Sequence, residues 1–387
     1  MPTRIEAPSP TLTQRSGKDP EGRFILSVLA KRTYRIEPPG RMVLDAEQLP
    51  LVVDPEVADP SSGRLAADID LYPFKLGTDV VVKGHAYGRG RHQFDVSVRV
   101  DGKPVKVIRV IGDREVGSLG GSDILIAPPS PVDRVPLSYT HAYGGIDAAA
   151  VAKYGIPWGA FAEYTEPDEF DMGQLNPFRY PRNPAGRGYL MEPTTEAVNA
   201  LVLPNLEDPS DLLTPDRLLV RQPGWWYKQP LPQASEWLSY GWFPRLAYFG
   251  VNHGTFGEPE RVPEVERGFA PENILTRRAP TPADAFRFTS GASLGLQVPY
   301  LRGGEVISLE NAHPRDSRYA VRLPGEVPGI WTDGRKGTLK ETDPVIHTVV
   351  IEPDIDRVTV LWRGSAPALR PYLPQELEKM PLRVEWP

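Results

Sequence analysis

Not one cysteine occurs in the 387 residues. That absence excludes disulfides, thiolate nucleophiles, cysteine-ligated zinc and iron–sulfur clusters together. It also fits a reducing compartment, and we expect a cytoplasmic protein. No apolar run approaches the ~18 residues of a membrane helix, so no membrane association is expected. The first 22 residues lack the apolar core of a secretion signal, so any export would use another route. An excess of positive charge is missing as well. Lys and Arg total 44 against 50 Asp and Glu, a net charge of −6. Nucleic-acid binders carry a basic stripe or a strongly basic domain, so no nucleic-acid partner is expected. The six histidines form no His-x-x-x-His pair, and neither metal nor cofactor is predicted.

What the chain has in abundance is turn formers. Pro numbers 44 and Gly 35, about a fifth of all residues against a usual ~12%. Interior prolines cost a helix about 3 kcal/mol each, so the pattern predicts a mainly β protein with few short helices. Phe24 to Ile36 is rich in β-branched, aromatic and aliphatic residues and precedes a Pro-Pro-Gly turn. Phe94, Val96, Val98 and Val100 alternate with Asp95, Ser97 and Arg99, the period of a half-buried strand. Asp101-Gly102 follows, then an apolar run from Val105 to Ile111. Such a pair between two strands signals a hairpin turn needing positive φ at both positions. Further strands are predicted at Asp79 to Ala86, Ile124 to Ala127, Val135 to His141, Val345 to Ile351 and Arg357 to Arg363.

Residues 1–22 read as a flexible N-terminal arm, and 23–387 as one domain. Within it, a β-sandwich-like framework comes from both ends (23–145 and 291–387). An irregular, loop-rich insertion occupies about 146–290. Short helices are expected in that insertion at Ile146 to Tyr154, Thr195 to Leu203 and Pro232 to Leu238.

Candidate chemistry is sparse. Asp68, Asp70, Lys75 and Asp79 cluster within twelve residues. A calcium loop of the EF-hand kind needs a Gly where Pro73 stands, so an ion-paired approach to the strand at Asp79 is the better reading. Ser138, His141 and Asp147 suggest a nucleophile triad on paper. If Val135 to His141 is a strand, Ser138 and His141 point to opposite faces. The Gly-rich stretches 84–90 and 117–122 lack the Gly-Lys-Ser/Thr ending of a phosphate loop. Aromatics form the sharpest cluster: nine of the 25 residues from Trp225 to Phe249, against 9% overall. They suit a docking surface, a sugar-stacking platform or a local core.

Taken in order, a series of motifs resembles the domain of unknown function 2169 family, which occurs in bacterial type VI secretion gene neighbourhoods. The series is Leu29-Ala-Lys31-Arg-Thr-Tyr34, Asp68-Ile-Asp70-Leu-Tyr-Pro-Phe-Lys75 with Thr78-Asp79-Val80, and Gly112-Asp-Arg114. It continues with Pro136-Leu-Ser-Tyr139, Ala142-Tyr-Gly-Gly145, Asn183-Pro-Ala-Gly186-Arg-Gly188, Leu203-Pro-Asn205, Pro299-Tyr-Leu-Arg-Gly-Gly-Glu305 and Val360-Leu-Trp-Arg363. The resemblance implies a non-enzymatic cytoplasmic adaptor or chaperone. Such a protein would bind a secreted effector and load it onto the VgrG/PAAR spike. It brings no catalytic residues. We expect Trp225, Trp226, Trp237 and Trp242 to bind the partner, and Lys31, Asp68, Asp70, Lys75, Asp79, Asn183 and Gly186 to serve as structural motif residues. The alternative is a carbohydrate-active β-protein, a glycan-binding module or a glycoside hydrolase. It rests on the aromatic density and on acids such as Asp68, Asp70, Glu163 and Glu166.

Overall fold

The computed structural model describes residues 3–5, 10–38, 40–120, 123–154, 178–191, 193–219, 229–243, 245–248, 284–333 and 338–387. Among the described residues the protein is mainly β, with several sheets and only short helices. Two sheets carry the framework. The larger has seven strands, ordered β8-β4-β11-β12-β2-β1 with β3 added beside β2. Its members are β1 (Leu12–Lys18), β2 (Phe24–Glu37), β3 (Arg41–Leu44), β4 (Thr78–Val82), β8 (Gln297–Val298), β11 (Val345–Glu352) and β12 (Arg357–Pro367). The second sheet has five strands, ordered β7-β6-β5-β9-β10. These are β5 (Gln93–Val100), β6 (Lys103–Ile111), β7 (Leu206–Glu207), β9 (Val306–Glu310) and β10 (Arg318–Arg322).

Late strands pair with early ones in both sheets. β12 runs antiparallel to β2 over eleven residue pairs, from Arg357↔Arg35 to Pro367↔Ile25. β11 runs parallel to β4, and β9 pairs with β5. Period 2 sets the faces. Val28 and Ala30 of β2, with Val358, Val360 and Trp362 of β12, meet Val96, Val98, Ile108, Ile307 and Val321 of the other sheet in one core. The opposite face of β2 and β12 buries a small cluster, Leu29, Leu51 and Leu361. The hairpin after β5 has Asp101 at φ 47° and Gly102 at φ 76°, as its type requires.

Several expectations are corrected. Leu12–Lys18 is a strand of the main sheet, and Thr3–Ile5 pairs with Arg383–Trp386, so residues 1–22 are not an arm throughout. Thr13 suits a strand, and only the long-range pairing with β2 reveals one here. Pro232 to Leu238 is not helical; Trp237 forms an isolated bridge with Ala292. The predicted strand Val135 to His141 is a strand at Val132–Pro136 followed by a 3₁₀ turn at Tyr139–His141. The Ser138 side chain caps that turn by accepting from the Thr140 N–H. Two other helices form where predicted, at Ala148–Tyr154 and Thr195–Asn199, the second shorter than expected. From the middle segment, Leu206, Ala234, Trp237, Leu238 and Trp242 all belong to the shared core.

Candidate functional site

The charged motif residues are buried and paired. Lys31 Nζ on β2 donates to Asp70 Oδ2 at 2.7 Å and to the Pro50 carbonyl at 2.8 Å. Asp70 also accepts from the Val52 N–H at 2.9 Å. Lys75 donates to Asp79 Oδ2 at 2.7 Å and to Thr348 Oγ1 at 3.2 Å, with both partners of the ion pair 1% exposed. Asp68 faces Arg245 at 2.6 Å, and the Arg245 guanidinium also donates to the Leu238 and Phe288 carbonyls. One eight-residue stretch, 68–75, thus links β2, β11 and the middle of the chain. Such pairs are costly to break once buried, which fits an architectural role.

The remaining motifs also meet one another. Tyr143-Gly144 pairs in parallel with Arg187-Gly188. Asn183 Nδ2 donates to the Tyr139 carbonyl at 2.8 Å and the Tyr143 carbonyl at 3.1 Å. Gly186 is fixed by space, since a Cβ there would lie 2.4 Å from Asn183 Nδ2 and 2.6 Å from the Ala142 carbonyl oxygen. Asn205 Nδ2 donates to Asp113 Oδ1 and to the Ile111 carbonyl, each at 2.9 Å. Arg363 donates to the Tyr300 hydroxyl at 3.0 Å, and its guanidinium lies 4.5 Å from the Phe74 ring centre.

No reactive constellation emerges from the residues considered for one. Ser138 Oγ donates to Glu236 Oε1 at 2.7 Å, His141 Nδ1 is joined to Thr140 Oγ1, and Asp147 accepts from the Ala150 and Met191 amides. Burial lowers the His141 pKa to about 4. Among the described residues no group of three or more His, Asp or Glu has the arrangement of a metal site. No described helix is long and apolar enough to cross a membrane. Asp68 and Asp70 answer to separate cations, and Glu163 and Glu166 lie outside the described residues.

The aromatic cluster is corrected in part. Trp237 and Trp242 are 4% and 2% exposed, and the Trp242 indole N–H donates to the Ser62 carbonyl. Both rings therefore serve the core and present no docking surface. Trp225 and Trp226 lie outside the described residues.

Partly covered apolar surface lies elsewhere, at the edge of the main sheet, where Leu12, Leu51 and Leu377 are buried. β1 ends the strand order, so one of its sides carries no strand partner among the described residues. The Lys31 N–H donates to the Thr11 carbonyl, which places the ladder bonds on Thr11, Thr13, Arg15 and Gly17. Leu12, Gln14 and Ser16 consequently turn their N–H and C=O groups outward. A groove of about 350 Å³ follows this edge. One lip consists of Leu51, Val53 and Leu71; the other of Leu377, Met380 and Leu382. Gln14 holds the second lip by donating to the Leu377 and Met380 carbonyls. Val53 is 57% exposed. Its parts come from four separated segments, and only the sheet order makes β1 an edge.

No curated protein and no solved structure matches the chain. The pattern of one family, described as an uncharacterized protein conserved in bacteria (DUF2169), matches residues 21–363 and so includes every motif whose pairings are described above. The chain belongs to that bacterial family, DUF2169.

Proposed function

We propose that this protein is a non-enzymatic cytoplasmic adaptor that holds a type VI secretion effector and helps load it onto the VgrG/PAAR spike. The observation that carries the reading is the edge of β1 that has no strand partner among the described residues and lies between two apolar lips. An extended client segment pairs its backbone with Leu12, Gln14 and Ser16, and its alternate side chains enter the two lips. Backbone pairing tolerates varied client sequences, while the lips select apolar ones. A groove of this size supports a modest interface, which suits a loader that must release its cargo.

The test is co-expression with the product of the adjacent gene, followed by co-purification and titration. Val53→Asp changes an exposed residue, so stability should stay within about 0.5 kcal/mol of wild type. Client affinity should fall by about 2 kcal/mol or more. Trp225→Ala and Trp226→Ala provide the comparison arm. Unchanged affinity in Val53→Asp with loss in the tryptophan variants would move the interface to the aromatic run. A neighbouring gene product that never associates with this chain would refute the adaptor reading.

A further inference from the structure

The β1 groove selects more than apolar character. Thr13 pairs with Leu29, which packs against Leu51. Thr13 and, two residues on, Arg15 therefore project on the side of the Leu51, Val53 and Leu71 lip. Most of the lining is apolar, and its charged members are Arg15 and Glu378.

The two charges differ in state. Glu378 is exposed and stays hydrated. Arg15 is half-buried, and its guanidinium has neither an ion-pair nor a hydrogen-bond partner among the described residues. Burial lowers its pKa, and no acid offsets that loss. The other arginines whose pKa burial lowers, Arg32, Arg179, Arg187 and Arg363, each have a carboxylate or a phenol close enough to push the other way. A guanidinium carries five N–H donors, so a partly dehydrated one without an acceptor is an incomplete interaction. Sheet geometry places the missing acceptor. Arg15 turns its own N–H and C=O toward β2, opposite Ser27. Toward an antiparallel client strand it is a non-hydrogen-bonded position, where facing residues come closest, about 4.5 Å between Cα atoms. The client side chain opposite Arg15 lies on the same face, within reach of the guanidinium. The client residues before and after it point to the Leu377, Met380 and Leu382 lip.

We propose that the groove takes an extended apolar client segment carrying one Asp or Glu, and that this acid docks opposite Arg15. The proposal rests on the adaptor reading and adds the charge and the register of the bound segment. Backbone pairing alone fixes no register. One ion pair within an apolar stretch does, and it turns away strands with a Lys or Arg at that place.

The experiment uses the full-length protein and three fluorescent strand peptides of Val and Thr that differ only at the central position, which is Glu, Gln or Lys. Affinity is read by fluorescence anisotropy. Wild type should bind the Glu peptide about tenfold more tightly than the Gln peptide, and the Lys peptide most weakly. Arg15→Gln should remove the preference, and Arg15→Glu should reverse it in favour of Lys. Both variants should melt close to wild type, because the side chain makes no bond within the described fold. Equal binding of the Glu and Gln peptides by wild type, or an Arg15→Glu variant that still prefers Glu, overturns the proposal. If Val53→Asp then weakens all three peptides alike, the groove reading survives its loss. Binding of none of the peptides overturns the proposal and the groove reading together. An Arg15→Gln variant that melts well below wild type would also overturn the proposal, by showing the guanidinium already satisfied within the fold.

Discussion

Replacing Asp70 with Ala should unfold the protein far more readily while leaving its grip on a client intact. The Lys31 and Asp70 side chains are each 8% exposed and meet at 2.7 Å. Without the carboxylate, the ammonium keeps only the Pro50 carbonyl as a protein partner. An uncompensated buried charge costs about 3–5 kcal/mol. The Val52 N–H loses its acceptor as well, adding about 1 kcal/mol because that residue is half-buried. The sum is about 4–6 kcal/mol, comparable to the whole stability of many domains. Urea denaturation followed by tryptophan fluorescence reads the loss. The double variant Lys31→Met/Asp70→Leu should recover most of it, since apolar pairs replace buried ion pairs at little cost. The coupling from that cycle should be about 3 kcal/mol. Client affinity of folded Asp70→Ala protein, measured at low temperature, should stay within about 0.5 kcal/mol. A stability loss under about 1 kcal/mol, or lost binding by a stable variant, would refute the architectural assignment.

Two other perturbations probe the interior. Lys106 is buried, donates to Gln233 Oε1 and the Leu294 carbonyl, and has its pKa lowered from 10.5 to about 8 by burial. Between about pH 8 and 10.5 the unfolded chain therefore binds more protons at this site. Stability from this group is present above the upper limit and is lost as pH falls through about 8. The contribution is about 3 kcal/mol, and stability measured against pH in Lys106→Met should lack that rise. Gly186→Ala should cost about 1–3 kcal/mol or more, because the new methyl meets Asn183 and the Ala142 carbonyl at contact-breaking distances; thermal denaturation checks it. A melting point equal to wild type would show that the loop yields freely.

Legibility from sequence followed the range of the signal. Phe94 to Val100, its Asp-Gly turn and the return strand were plain, because alternation and turn chemistry are local. The order of strands was not, since it depends on which late segment meets which early one. Leu12–Lys18 was missed for that reason: only its pairing with β2 shows it to be a strand. The acidic stretch at 68–79 was legible as ion-paired, but Arg245 was not, standing 177 residues from its partner in a Pro-rich region. Trp237 and Trp242 misled because aromatic density serves a core as well as a surface, and burial is not written in composition. The β1 groove was not legible, as it is bounded by separated segments that only the folded sheet brings together.

The pairing of β2 with β12 joins residues roughly 330 positions apart. On the ribosome, Phe24–Glu37 emerges first and then waits with one side bare until the matching strand has been made. At ~20 residues per second that delay is about 15 s or more, long compared with hairpin closure. Throughout it, the side of β2 that β12 will fill stays unpaired. The nascent chain thus depends on its last strands to complete the main sheet, and without β12 the strands β2 and β11 lack the neighbour they share.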